Sequence, residues 1–327
     1  MDEGARILVQ VCADVQPDEE VVIVSDEERY EIARALIEAV KEVGTRATVV
    51  IDPPRKIDNE EPAPPVGAAL KKADVLYLPL GKALSHTQAV RSAIGAGARV
   101  VSMSAFTERQ MNEGGLFADF HARKPFCDYL ATRLTKAREI RVTNPAGTDL
   151  TFRLDERAGN SHACIVREPG FTAVPNIEAN CAPLEETTQG VLVVDGSIPY
   201  YGVGVIREPV TCRIRDGAVT AIEGGGQAEF LRDLLSAQGD PNVYNIAQFA
   251  FGLNPECREF TGEMLNDEGV NGTVHIGIGT SASLGGGIQA RTHFDAIIRS
   301  PSVWFDGEPI MDHGEFLVEE SEAQKSV

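Results

Sequence analysis

The feature that most limits the fold is a short apolar strand handed directly to an amphipathic helix. Val21-Val22-Ile23-Val24 is apolar without alternation, as suits a strand covered on both faces in a parallel sheet. From Arg29 to Val40 the spacing turns helical, with Ile32, Leu36 and Val40 recurring every fourth residue. Gly44 ends that helix, and residues 47–51 read as the next strand. A proline-rich link from Asp52 to Pro65 is expected to lack regular structure. Helix, strand, helix and strand then follow over residues 66–72, 74–79, 86–94 and 99–103. Residues 5–12, an apolar run with β-branched content, read as one further strand. Residues 1–136 are thus expected to form an open, mainly parallel α/β domain.

From Arg138 the pattern changes. Strands at 139–143, 149–153, 190–198, 210–214 and 218–222 alternate with glycine and aspartate turns, and Arg215-Asp216-Gly217 marks a hairpin. A helix over 227–236 interrupts them. Residues 137–327 are expected to form a mixed, strand-rich α+β domain that carries the metal site, with the acidic end from Glu319 frayed.

Composition narrows the partners. Against 49 acidic side chains stand 30 basic ones, a net charge of -19 that disfavours nucleic acid and anionic membranes. No apolar run approaches the roughly 20 residues that cross a bilayer, and the acidic opening Met1 to Arg6 does not read as a signal peptide. Cys12, Cys127, Cys164, Cys181, Cys212 and Cys257 form no C-x-x-C pair and read as reduced cysteines of a cytoplasmic protein. G-x-G-x-x-G after a strand, the P-loop and G-x-S-x-G are all absent, which argues against dinucleotide, nucleotide-phosphate and serine-hydrolase chemistry.

The histidines are few and informative. If residues 291–298 are extended, His293 and Asp295 point to the same face. An imidazole and a carboxylate so placed can share one divalent metal. His275, in Thr273-Val274-His275-Ile276-Gly277, would complete a two-histidine, one-carboxylate set from a neighbouring strand. The same pattern also fits a satisfied pair on a strand face.

Thr143-Asn144-Pro145-Ala146-Gly147-Thr148-Asp149-Leu150 resembles a segment of the M29 family of metal-dependent aminopeptidases (aminopeptidase T and S type). The segments around Glu178, Gln248, His275, His293-Phe294-Asp295, Trp304 and His313 follow in the same order. The resemblance implies that Glu178, His275, His293 and Asp295 are metal ligands, with zinc, manganese or cobalt activating water against an amide bond. Gln248 stands where those peptidases keep a glutamate. A neutral amide cannot act as general base and bridges two cations poorly, so Glu178 is the best available base. The stretch Gly224 to Asp233, followed by Asp240-Pro241-Asn242-Val243-Tyr244, is similar to the 2,5-dihydroxypyridine 5,6-dioxygenases of the same superfamily, which use mononuclear Fe(II). That branch places a histidine at the position of Gln248 and lacks His275.

The reading carried forward is an aminopeptidase-like metal-dependent hydrolase, with Glu178 and Gln248 catalytic and a small molecule or short peptide as substrate. Its alternatives are an Fe(II) ring-cleaving dioxygenase acting on a small hydroxylated pyridine, and a catalytically degenerate relative. A homodimer is expected. Of the other candidates, Tyr200-Tyr201 reads equally as a pocket pair or as packing. Asp26, His86, Glu185-Glu186 and Arg291 read as structural or surface groups, and Cys181 as core.

Overall fold

The structure, a computed structural model, describes residues 1–55 and 57–318; the expected fraying from Glu319 lies outside them. The chain divides into two compact units. The first joins Met1–His121 to His162–Asn176, and the second joins Ala122–Ser161 to the residues from Ile177 onward.

In the first unit, Val21–Ser25, Ala47–Ile51, Val75–Leu80 and Arg99–Ser104 form a parallel sheet in the order second, first, third, fourth. Gly170–Ala173 adds a fifth parallel strand beside Arg99–Ser104, a pairing that local pattern does not announce. Every residue of Val21–Ser25 and Val75–Leu80 is buried, as apolar runs without alternation require. Val22, Val24, Leu76 and Leu78 pack with Val66, Leu70, Val90 and Ala93 of the helices Pro64–Leu70 and Gln88–Gly95. The first of these helices begins inside the proline-rich link. Pro64 and Pro65 open it, where a missing N–H is no loss. Helix Tyr30–Val43 buries Ile32, Leu36 and Val40, and Gly44 ends it at φ 100°.

The amino-terminal run corrects the expectation of a strand. Asp2–Arg6 is α-helical, and Ile7–Cys12 continues it with wider π-type winding. Ala5, Leu8, Val9 and Cys12 are the buried positions, a spacing of three and four residues that belongs to a helix face. β-branched content had pointed the other way.

The second unit holds two sheets. The first has eight strands in the order Ala218–Glu223, Val210–Arg215, Gln189–Val194, Asp149–Arg153, Glu139–Thr143, Ser302–Phe305, Glu308–Asp312 and Glu315–Phe316. Its Val210–Ala218 hairpin turns at Asp216 and Gly217, both at positive φ, as a tight two-residue turn demands. The second has seven, in the order Gly204–Val205, Ser197–Ile198, His293–Ile298, Thr273–Gly279, Ile246–Gly252, Ile177–Cys181 and Asn160–Ala163. The two meet through aromatic rings. Phe152 lies 5.4 Å from Phe249, and Phe251 lies 6.1 Å from Phe305. Phe152, Phe249 and Phe251 are fully buried, each contributing about 1.5–3 kcal/mol of transfer free energy. The N-terminal parallel sheet and a larger strand-rich part were expected; the latter consists of two mainly antiparallel sheets. No helix among the described residues is long and apolar enough to cross a membrane.

Candidate active site

Strand parity separates the seven-stranded sheet into an apolar and a polar face. Phe249 pairs with Ile276, and Phe251 with Val274, so these side chains share the face turned toward the other sheet. The opposite face carries Glu178 and Asn180, Gln248, His275, and then His293 and Asp295, on four adjacent strands. Small residues lie between them. Gly252 pairs with Glu178, Ala250 with both Asn180 and His275, and Gly277 with both Gln248 and Asp295. The long side chains therefore reach across strands without collision. A bulge between Ile246 and Gln248 shifts the register beside the site.

All five residues singled out from the sequence lie on this face. They form two groups. In one, His275 Nε2 lies 3.2 Å from Glu178 Oε2, and the Gln248 amide nitrogen sits 3.3 Å from Glu178 Oε1 and 3.4 Å from His275 Nε2. Asn180 donates to Glu178 Oε1 at 2.6 Å and accepts from Asn160 at 2.9 Å. In the other, His293 Nε2 lies 3.5 Å from Asp295 Oδ1. The Thr280 carbonyl, 2.8 Å from His293 Nδ1, can only accept, so Nδ1 carries a proton and Nε2 is turned to the site. Asp295 Oδ2 accepts from Tyr200 at 2.9 Å, and the same hydroxyl lies 2.6 Å from Glu268 Oε1.

The electrostatics are those of excess buried negative charge. Burial pushes the Glu268 carboxyl well above the usual carboxylate range, and the charges of Asp295 and Glu178 push it further. Burial would also raise Asp295, but the His293 and His275 imidazoles outweigh it and hold the carboxyl far below its ordinary value. For both histidines burial lowers the pKa, yet Asp295 and, for His275, the Glu178 hydrogen bond raise it overall. Burial pushes the Tyr200 phenol up, and its two carboxylate neighbours add to that.

Two imidazoles and two or three carboxylates are donors that Fe(II), zinc and manganese all accept. Buried Asp295 Oδ1 and His275 Nδ1 lack hydrogen-bond partners among the described residues. The chemistry of the donors therefore fits a divalent cation. The fit is one of donor type and charge. Among the described residues no three His, Cys, Asp or Glu side chains already converge as a metal-holding group.

The remaining candidates are structural. Glu185 accepts from the Gly287 N–H at 2.6 Å and pairs with Arg157. Arg291 donates to the Gln238 carbonyl, and Asp26 pairs with Arg29 at 3.0 Å. Burial raises the Cys181 thiol far above its ordinary value, which makes it inert. Glu268 and Asn180 were not singled out in advance. Asn180 stands two residues after Glu178, a period-two spacing like that of His293 and Asp295, whereas Glu268 has no such spacing to a ligand candidate and Tyr200 did stand out as half of an aromatic pair.

This fold has solved counterparts. A structure of 2,5-dihydroxypyridine dioxygenase from Pseudomonas putida KT2440 superposes with a TM-score of 0.84 at 21% identity, covering 98% of each chain. AmpT from Thermus thermophilus superposes at 0.70 with 16% identity, over 97% of this chain and 98% of that one. At such identities both show the fold and nothing finer. The family is shown by sequence. The profile of the NicX family, 2,5-dihydroxypyridine 5,6-dioxygenase, matches residues 6–318, and the chain belongs to that family. The 2,5-dihydroxypyridine 5,6-dioxygenase of Pseudomonas putida KT2440 is 29% identical over 205 residues, 59% of this chain and 58% of the relative, so the match spans less than two thirds of that relative's length.

These findings correct the M29 aminopeptidase assignment and, with it, the hydrolase reading. The segments that suggested a peptidase lie on a fold that this chain shares with both solved structures. Motifs that hold a common fold together cannot decide between the chemistries built on it.

Proposed function

We propose that this chain is an Fe(II)-dependent ring-cleaving dioxygenase acting on a small hydroxylated pyridine of the 2,5-dihydroxypyridine type. The observation that carries the reading is the family match along residues 6–318. The polar face supports it by gathering two imidazoles and a carboxylate, one of whose oxygens faces His293 without a hydrogen bond among the described residues. His293, Asp295 and His275 would hold the metal, with Glu178 beside them. Bound Fe(II) would supply the redox activation of dioxygen that opening an aromatic ring requires. Glu178 takes the proton of a substrate hydroxyl at Oε2, the oxygen it turns to His275. Gln248, already poised between Glu178 and His275, adds a neutral donor for a substrate oxygen without adding charge. Six cysteines, all buried as thiols, support a cytoplasmic setting.

The test is anaerobic purification, elemental analysis and oxygen uptake with 2,5-dihydroxypyridine. The reading expects about one iron per chain, oxygen consumed in proportion to substrate, and loss of both in D295A. Protein that takes up Fe(II) yet consumes no oxygen with any hydroxylated pyridine would sink the substrate class. Failure to bind iron at all would leave a non-catalytic member of the family.

A further inference from the structure

Resting on the proposed metal site, we infer that Tyr200 and Tyr201 form a clamp that positions the His293-Phe294-Asp295 segment, with Glu268 anchoring the clamp.

The two tyrosines lie on the short excursion between strands Ser197–Ile198 and Gly204–Val205, beside the strand that carries His293 and Asp295. Each grips that strand at a different atom. The Tyr200 hydroxyl meets Asp295 Oδ2 at 2.9 Å, and the Tyr201 hydroxyl donates to the His293 carbonyl at 3.2 Å. Both tyrosines lie in a tight turn, closed by the Val203 N–H donating to the Tyr200 carbonyl at 3.0 Å. Tyr201 at φ 55° and Gly202 at φ 85° are the two central residues of that turn, which needs positive φ at both. The two rings then lie 6.0 Å apart, and the Tyr201 ring packs edge-on at 6.4 Å against Phe294, between the two grips. A turn that brings two hydroxyls onto one tripeptide fixes that tripeptide at two points.

The consequence for Asp295 is specific. Tyr200 occupies Oδ2, so the carboxylate cannot rotate freely, and Oδ1, which no hydrogen bond among the described residues holds, faces His293 Nε2 at 3.5 Å. Glu268, buried on the short helix Met264–Glu268, holds the Tyr200 hydroxyl from the other side at 2.6 Å. Tyr200 and Glu268 are positioning residues. They act on the metal through Asp295, and outer partners of this kind commonly change metal affinity by about 10–100-fold.

Cobalt(II) is the probe, because its visible absorption reports the ligand field without turnover. The wild-type chain, Y200F, E268A, E268Q and Y200F/E268A are titrated with Co(II), with apo-protein melting temperature and near-ultraviolet circular dichroism as fold controls. The inference expects Y200F and E268A to bind about 10-fold more weakly or worse, with altered absorption bands. E268Q, which can still hydrogen-bond to Tyr200, should restore wild-type affinity and spectrum. The double variant should bind no more weakly than Y200F, because Glu268 acts only through that hydroxyl. Should Y200F fail to fold, E268A against E268Q carries the same contrast. Wild-type affinity and spectrum in folded Y200F or E268A would overturn the inference. A wild-type chain that binds no Co(II) would overturn the metal site itself, and the clamp with it, and the two failures are told apart by that first titration.

Discussion

Gly277 pairs with Asp295 across two adjacent strands, and a Cβ on that glycine would lie 3.0 Å from Asp295 Oδ1 and 2.9 Å from His293 Cε1. It would also stand 2.6 Å from the Gln248 Cβ, closer than real contacts allow. The φ of Gly277 is not in the left-handed region, so space alone forbids a side chain here. G277A is therefore expected to cost about 1–3 kcal/mol by overpacking and to reduce metal uptake far more than that loss explains. Metal content at equal folded fraction checks it; undiminished uptake would show that the gap beside Asp295 Oδ1 is not where the cation goes.

Gln248 invites the opposite experiment. Three buried carboxyl groups already face one another around two histidines, so Q248E adds a fourth to a dry site. Without a cation, an uncompensated buried charge costs roughly 3 kcal/mol or more, a fall in melting temperature of about 6 °C or more for a unit of this size. Divalent metal should recover most of that fall in Q248E and much less in the wild type. Melting curves with and without Mn(II) decide it, and equal metal responses in the two proteins would speak against a cation beside residue 248.

The amino-terminal helix makes a prediction of a plainer kind. Leu8 is fully buried on the face it shares with Ala5, Val9 and Cys12. L8A should cost about 2–5 kcal/mol, whereas I7A, on a half-exposed position of the same segment, should cost far less. A strand would put the adjacent Leu8 and Val9 on opposite faces, so a V9A cost as large as that of L8A in chemical denaturation marks the helix.

That segment also shows where sequence reasoning succeeds and stops. Val21–Ser25 and the helix Tyr30–Val43 were legible because their apolar spacing admits one reading. Residues 5–12 were not, since a short apolar run fits either period and β-branching tipped the choice wrongly. At the site, the shared face of His293 and Asp295 followed from period two alone. The approach of Glu178 to His275 did not, because it depends on Gly252 and Ala250 leaving the floor between them open. Glu268 was invisible, because it ends a five-residue helix and a turn separates it from the strand of His275, so no single period links the two.

Glu19 gives a pH signature independent of the site. Burial would raise its carboxyl, but two hydrogen bonds from Arg99 at 2.8 Å and one from the Gln16 N–H bring it below the ordinary value. A carboxyl lowered in the folded state contributes stability that is complete above its unfolded pKa, about 4.3. That contribution is lost as the pH falls through the folded value. E19Q should be less stable than wild type at neutral pH by about 1.5–3 kcal/mol, with the gap closing on acidification below about pH 4. A gap that stays constant to low pH would remove the Arg99 pairing from the account.

The return of the chain at Gly170–Ala173 has a consequence for biosynthesis. Until that strand emerges from the ribosome, Arg99–Ser104 has no neighbour on one side and presents a bare row of backbone donors and acceptors. By then the helix Phe120–Lys136 and the hairpin Glu139–Arg153 have already been made. The nascent amino-terminal sheet must therefore wait, edge open, through some seventy residues of synthesis at roughly 5–20 residues per second. This is the interval in which strand addition from another chain is most damaging.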